Sequence, residues 1–142
     1  MRLIYAASIA FSDKLANRVQ IRVMAEEFQK KLGDNFWLGV NYKNVDSEKI
    51  KIICFNSSKS YILAWRYLKF IKKNNIAYVY CREARLLFFL ILFEKLFFRL
   101  GLKYIYEVHS MLERNATDKI VERFISFFTG CFIFINDNLR KI

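Results

Sequence analysis

The 142-residue chain has no proline, only four glycines and a single histidine, His109. No Gly- or Pro-rich stretch interrupts it, so no linker is visible and one domain over residues 1–142 is expected. The loop after the first apolar run, Ser8 to Asp13, contains no glycine, which argues against a dinucleotide fingerprint or a phosphate loop. No Gly-x-Ser-x-Gly segment exists, and one histidine with scattered cysteines makes neither a catalytic triad nor a metal site.

Long hydrophobic runs are also missing. The longest, Leu86 to Phe93, is far shorter than the roughly 20 residues of a membrane-spanning helix, so no crossing is expected. The apolar N-terminal run is followed at once by Asp13 and Lys14, which favours a first strand over a signal peptide. The three cysteines are odd in number and set in apolar runs, which predicts buried thiols of a reducing, cytoplasmic compartment: Cys54, Cys81 and Cys131.

Apolar and basic residues dominate what is present. Hydrophobic residues make up 55% of the chain and aromatic residues 18%, so a folded, aromatic-rich core is expected. The net charge of +11 predicts an anionic partner, which leaves phosphate groups, an acidic membrane surface and nucleic acid open. The aromatic residues lie in runs that look buried, which makes nucleic acid the least favoured partner.

Strand and helix patterns alternate six times, which predicts an α/β fold with a mostly parallel sheet of about six strands. The expected architecture is a Rossmann-like three-layer α/β/α domain. A last helix begins near Asn136 and stops at Ile142 after less than two turns, so we expect a C-terminally truncated chain. The predicted strands are Leu3 to Ala10, Phe36 to Val40, Ile50 to Phe55, Ile76 to Cys81, Tyr104 to Val108 and Cys131 to Ile135.

The stretch from Lys103 to Ser110 carries the main candidates for chemistry. A β-favouring run ends in Glu107 and His109, which strand alternation places on one face at the carboxyl end. His109 could donate to a phosphate or carbonyl oxygen or move a proton, or it could be a structural hydrogen-bonding residue. Glu107 could orient His109, or it could be a buried carboxylate paired with an arginine or a backbone amide.

Further polar residues are predicted at the same edge. Arg82 ends the fourth strand, next to the fifth if chain neighbours are also sheet neighbours. It either holds an anionic group or forms a surface ion pair with Glu83 or Glu107. The first helix is expected from about Asn17 to Leu32, with an apolar stripe at Val19, Val23, Met24, Phe28 and Leu32. Its N-terminus is an anion site in principle and an ordinary helix cap in the alternative. The candidate anion-binding residues at this edge are Asn17, Arg18, Gln20 and Arg82.

Two helices favour contact with a membrane. Basic residues recur at helical spacing in the helix that follows the third strand, whose apolar stripe is expected at Tyr61, Ala64, Trp65, Leu68 and Ile71. The next helix, Glu83 to Leu100, is apolar almost all round. The alternatives are a solvated face and a helix buried against the sheet. The candidate membrane-contact residues are Lys59, Arg66, Lys69 and Lys73.

Together these residues resemble a known family. The first strand and polar loop, Ala-Asn-Arg-Val-Gln at 16–20, Tyr-Val-Tyr-Cys-Arg at 78–82 and Tyr-Glu-Val-His at 106–109 are similar to the N-terminal half of family-4 glycosyltransferases with the GT-B fold. The resemblance covers nearly all the chain. It implies an acceptor-side domain with His109 facing the cleft beside the transferred sugar or its phosphate and Glu107 supporting it. It also implies an acceptor site formed by the loop from Ser8, the helix start and Arg82, so the candidate substrate-binding residues are Ser8, Asn17, Arg18, Gln20 and Arg82.

The resemblance also sets expectations for partners. A second, donor-binding domain is absent from these residues, so a nucleotide sugar is expected as co-substrate, with no resident cofactor and no turnover by the chain alone. The acceptor is expected to be a cell-envelope glycan or a lipid-linked molecule at the inner face of the cytoplasmic membrane. Many members carry a Gly-Gly pair in the first loop, which this chain lacks. The alternatives are a non-catalytic basic module that binds an anionic membrane or nucleic acid, and a non-functional remnant of a longer gene.

Overall fold

A computed structural model of the chain describes residues 1–8, 10–11, 16–43, 48–109 and 116–135. The side chains of residues 10–11, 16–18, 42–43, 109 and 134–135 lie outside that description. The predicted helix beyond Asn136 lies outside it too.

Six strands form one parallel sheet in the described residues, as the alternating pattern predicts. They lie in the order β5-β3-β1-β6-β7-β8, which is the 3-2-1-4-5-6 order of the Rossmann fold when these six are numbered along the chain. The fold class is thus confirmed as α/β and Rossmann-like. These strands are β1 (Leu3–Ala6), β3 (Phe36–Val40), β5 (Ile52–Cys54), β6 (Tyr78–Cys81), β7 (Lys103–His109) and β8 (Cys131–Ile135).

The structure also contains a second parallel sheet, of two strands, that the sequence does not predict. It pairs β2 (Ala10–Phe11) with β4 (Tyr42–Lys43) just beyond the ends of β1 and β3. Two-residue strands carry no alternation pattern, so no periodicity predicts them.

Four α-helices connect the strands in the described part of the chain: α1 (Ala16–Leu32), α2 (Ser60–Asn74), α3 (Ala84–Phe93) and α4 (Ala116–Phe128). None of the described helices is long and apolar enough to cross a bilayer. The predicted helix Glu83 to Leu100 is shorter than expected, because a π-helical turn, Glu94–Phe98, follows α3. Arg99, with φ +48°, ends that turn where Gly101 was expected to do so.

The helices divide between the two faces of the sheet. Leu3, Tyr5 and Tyr80 point to the face that α1 covers through Ile21 and Ala25. Alternate residues of the same strands pack against α2, α3 and α4 in a larger cluster. Both faces of the central strands are therefore buried, which is why β1 and β3 read as continuous apolar runs.

Three expected details of burial are wrong. Val19 and Val23 of α1 are half exposed, and Ile21 and Ala25 form its buried stripe instead. Tyr61 and Trp65 lie on the side of α2 that faces α3, where their rings contact rings of α3 and remain partly exposed to solvent. Cys131 is exposed, since β8 is the edge strand, whereas Cys81 is fully buried.

Candidate functional site

The centre of the sheet is the place where the strand order reverses. The chain moves from β1 outwards through β3 and β5, then returns to the other side of β1 with β6, β7 and β8. In open α/β sheets, ligands bind outside the carboxyl ends of the strands at this switch point. The site thus lies among the residues that follow β1 and β6 and those that end β7.

A buried carboxylate dominates this edge. Glu107 of β7 is fully buried, and the hydroxyl group of Tyr80 on the neighbouring strand β6 donates a hydrogen bond to its Oε2. The other carboxylate oxygen, Oε1, lies 3.9 Å from Nε of Arg82. Burial and the bond to Glu107 raise the pKa of the Tyr80 phenol, so Tyr80 remains a donor.

Arg82 supplies the positive charge beside that carboxylate. Only 9% of its side chain is exposed, so the ion pair lies within the protein edge and is shielded from solvent. Burial raises the pKa of the nearby Tyr5 phenol, the Glu107 charge raises it further, and the Arg82 charge opposes both effects. Of the two alternatives for Arg82, the structure has the ion pair with Glu107.

A second carboxylate joins the ends of β1 and β6. Glu83 Oε1 accepts a hydrogen bond of 2.8 Å from the Ser8 backbone amide. Glu83 is also the N-cap residue of α3, yet its side chain does not cap that helix. Burial raises the pKa of the Glu83 carboxyl group, and the bond from Ser8 lowers it in part. The Ser8 amide thus donates to a carboxylate, whereas an amide at this place in a dinucleotide-binding loop would donate to a phosphate.

Tyr67 fixes the end of β1 from the opposite face. Its hydroxyl group donates to the Ala7 carbonyl oxygen at 2.8 Å and accepts from the Ala7 amide at 3.1 Å. The ring passes over Gly39, where a β-carbon would lie 2.2 Å from Cε1 of Tyr67. Glycine at this position therefore makes room for a tyrosine that holds the backbone just before Ser8.

His109 is the last residue of β7, one position beyond the predicted strand end at Val108, and it pairs in register with Ile135 of β8. It follows Glu107 by two positions, the spacing that predicts a common face on a strand. Its side chain lies outside the described part of the structure. The backbone therefore brings His109 to the same edge as Glu107, and its role stays a prediction.

The other predicted binding residues lie on the first two turns of α1. Asn17 and Arg18 begin that helix, and their side chains also lie outside the description. Gln20 is half buried in the second turn. Because α1 follows β1, these residues come at the carboxyl edge of the sheet.

Sequence reasoning missed Tyr80 and Tyr67 and considered Glu83 only as a partner of Arg82. The position of Glu83, directly after a strand end, was a usable signal. No local pattern predicts the tyrosines, because their hydroxyl groups reach partners 27 and 60 residues away in the chain.

A cavity of about 380 Å³ lies on the other face, between α4 and strands β7 and β8. Its walls include Tyr106 and Val108, which alternate with Glu107 along β7. The cavity therefore opens away from the Glu107 side of the sheet.

The predicted membrane-contact residues divide into two groups. Lys69 and Lys73 line an open cleft of about 650 Å³ with Trp65, and Lys59 lies 6.0 Å from the ring of Tyr61. Arg66 instead donates to the carbonyl oxygens of Phe55 and Asn56 and fixes the turn before α2.

Two further observations complete the description. No group of three His, Cys, Asp or Glu side chains that could hold a metal ion exists among the residues described above. No family model, curated protein sequence or solved structure matches the chain. No relative, therefore, assigns chemistry to this edge.

Proposed function

We propose that the chain is the acceptor-side half of a glycosyltransferase that moves a sugar from a nucleotide-sugar donor. The observation that carries the proposal is the buried Arg82–Glu107 pair at the carboxyl ends of two central strands, two residues before the only histidine. Burial of a charged pair costs desolvation energy, which favours a functional role for the pair. Rossmann-like sheets bind their ligands at this same edge.

The Ser8–Glu83 bond supports the acceptor role over a donor role. A nucleotide-sugar pyrophosphate is usually met by free amides at the first turn of a Rossmann-like sheet. Here the Ser8 amide already donates to a carboxylate, which would repel a phosphate. A hydroxyl-bearing acceptor is compatible with that carboxylate, because a hydroxyl group can donate to it.

His109 would act at the reacting centre in this proposal. An imidazole at the end of β7 would donate to the sugar or to the leaving diphosphate and stabilise the charge that develops there. Glu107 is a positioning residue, since its described partners are Tyr80 and Arg82. The donor would bind to a domain outside these 142 residues. The acceptor would be a cell-envelope glycan or a lipid-linked molecule.

The test measures transfer from a panel of radiolabelled nucleotide sugars to envelope extract by the complete gene product. We expect His109→Ala to lower the rate by about 100-fold or more, the scale of one catalytic hydrogen-bonding group. His109→Gln retains a hydrogen-bonding group and should recover part of the rate, with loss of its pH dependence. Glu122→Gln, on α4 at the opposite face of the sheet from Glu107, is the control. Wild-type activity in His109→Ala, or no transfer with any donor, would refute the proposal.

A further inference from the structure

The second feature of the structure that suggests a ligand lies away from the sheet edge, where α2 packs against α3 and the π-helical turn. Trp65 lies here at ring distances of 5.7, 5.6 and 4.9 Å from Phe93, Phe97 and Phe98. We call this region the aromatic–lysine surface; it comprises Trp65, Lys69, Lys72, Lys73, Phe97 and Phe98.

Several apolar side chains here face solvent. Phe97 is 63% exposed and the adjacent Leu96 is 58% exposed, while Trp65 is 36% exposed. Exposed large apolar residues that occur singly need no explanation, but a contiguous group of this kind indicates an interaction surface.

The charges around these aromatic residues have one sign. Residues 59–99 contain nine Lys and Arg against two Glu, Glu83 and Glu94. Glu83 is held at the sheet edge by Ser8. Glu94 is only 1% exposed and lies 3.1 Å from Nζ of Lys95. Within residues 59–99, the solvent face of this surface therefore presents lysines without an exposed carboxylate.

We propose that the aromatic–lysine surface docks on an anionic phospholipid membrane. Trp and Phe side chains partition into the boundary between head groups and acyl chains, and lysines contact the anionic head groups while their alkyl stems stay near the apolar region. A protein partner would need acidic residues complementary to Lys69, Lys72 and Lys73. The open, uniformly cationic cleft fits many anionic head groups without a fixed shape. This inference is independent of sugar transfer.

The structure corrects and extends the residues that the sequence indicates. Arg66 is committed to backbone carbonyl oxygens and is not part of the surface. Lys72 joins it, because it lines the same cleft as Lys69 and Lys73. Trp65 and Phe97, which the sequence does not separate from core aromatics, supply the apolar contacts.

The two tryptophans make the docking directly measurable. Trp37 lies on β3, is only 6% exposed and packs against Phe70 of α2, so a change of fluorescence on adding vesicles reports Trp65. The complete chain would be mixed with vesicles of phosphatidylcholine alone or with added phosphatidylglycerol. We expect binding to the anionic vesicles, a blue shift of emission, and quenching by spin-labelled lipids. High salt should weaken the binding.

Variants test both components of the surface. Replacing Lys72 and Lys73 by Gln should weaken partitioning about 25-fold at low salt, at about fivefold for each lysine. Phe97→Ser should weaken it about tenfold, since the ring is only partly free to insert. The matched controls lie on α1, behind the opposite face of the sheet. They are Lys30→Gln with Lys31→Gln for charge and Val23→Ser for apolar area, and they should bind as the wild type does.

Four results would overturn the proposal: equal binding to both vesicle types, no binding to either, weakening by the α1 controls to the same extent, or an unchanged Trp65 emission. A blue shift that rises with protein concentration in the absence of vesicles would assign the surface to a second copy of the chain. Salt-sensitive binding to an oligonucleotide, without binding to vesicles, would assign it to nucleic acid.

Discussion

Tyr67 provides the most direct test of how the sheet edge is held. Its hydroxyl group makes the bond that satisfies the Ala7 carbonyl oxygen, whereas the Ala7 amide also donates to Gly39 at 3.1 Å. Tyr67→Phe therefore leaves one buried carbonyl group without this partner. We expect a loss of about 1–2 kcal/mol in the free energy of unfolding, the cost of an unsatisfied buried polar group.

Gly39→Ala should disturb the same contact from the other side. Its methyl group would lie 2.2 Å from Cε1 and 2.6 Å from Cζ of Tyr67. The ring cannot withdraw easily, because it is fully buried and lies 4.3 Å from the Phe55 ring. Overpacking of this kind costs about 3 kcal/mol or more when rigid groups must shift.

The two effects should be coupled. Tyr67→Leu shortens the side chain, so the Gly39→Ala methyl group then occupies part of the vacated space. We expect the double variant to lose at least about 1 kcal/mol less than the sum of the single losses. Urea unfolding followed by the fluorescence of buried Trp37 gives each value. Hydrogen exchange at the Ala7 amide should be faster in Tyr67→Phe, because this amide loses one of its two acceptors. The exchange rate therefore measures how firmly the end of β1 is held.

Tyr61 supplies the matched control for this series. It lies on the same helix but is 44% exposed, so Tyr61→Phe should change the free energy of unfolding by no more than about 0.5 kcal/mol. Additive losses for Gly39→Ala and Tyr67→Leu would refute the close contact. So would a Tyr67→Phe variant as stable as the Tyr61→Phe control.

Three further predictions concern buried or exposed side chains. Glu107→Ala should lower the free energy of unfolding by about 3 kcal/mol, because it leaves the Arg82 charge buried without this partner. Glu107→Gln should cost less, since its amide oxygen can still accept a hydrogen bond from Tyr80. Urea unfolding compares the two variants. The raised pKa of Glu83 means that the folded state holds its proton more tightly, so its contribution to stability is full below the ordinary value of 4.5 and is lost as the pH rises through the raised pKa. Glu83→Gln should remove that loss in unfolding curves measured across this range, and unchanged curves would contradict it. A maleimide reagent should label the exposed Cys131 first. It should label Cys81 only after unfolding, because that thiol is buried and burial raises its pKa. Mass mapping that finds Cys81 labelled in the folded protein would refute its burial.

The sheet could be predicted because its strands are buried on both faces. Runs such as Phe36–Val40 are continuous and end at polar residues, so their existence is visible in one dimension. Which strands are neighbours is a property of crossovers, and alternation alone does not fix it. The adjacency of β6 and β7, needed to bring Arg82 to Glu107, was an assumption that the structure confirms.

Helix faces were harder to predict than strands. On α1, Val19 and Val23 form as good an apolar stripe as Ile21 and Ala25, because both pairs have a spacing of four residues. The choice between them depends on how the helix is rotated above the sheet. The same limit explains Trp65, whose apolar ring lies between two helices at the surface.

The basic residues that give the chain its net charge of +11 are not concentrated at the candidate site. At the sheet edge, Arg82 is matched by Glu107, and Glu83 adds a further carboxylate. On α1, side-chain bonds join Arg22 to Glu26 and Lys30 to Glu27. The cationic excess of residues 59–99 instead surrounds exposed aromatic rings. Loss of the lysines should thus impair vesicle binding without changing the edge, and loss of Glu107 should do the reverse.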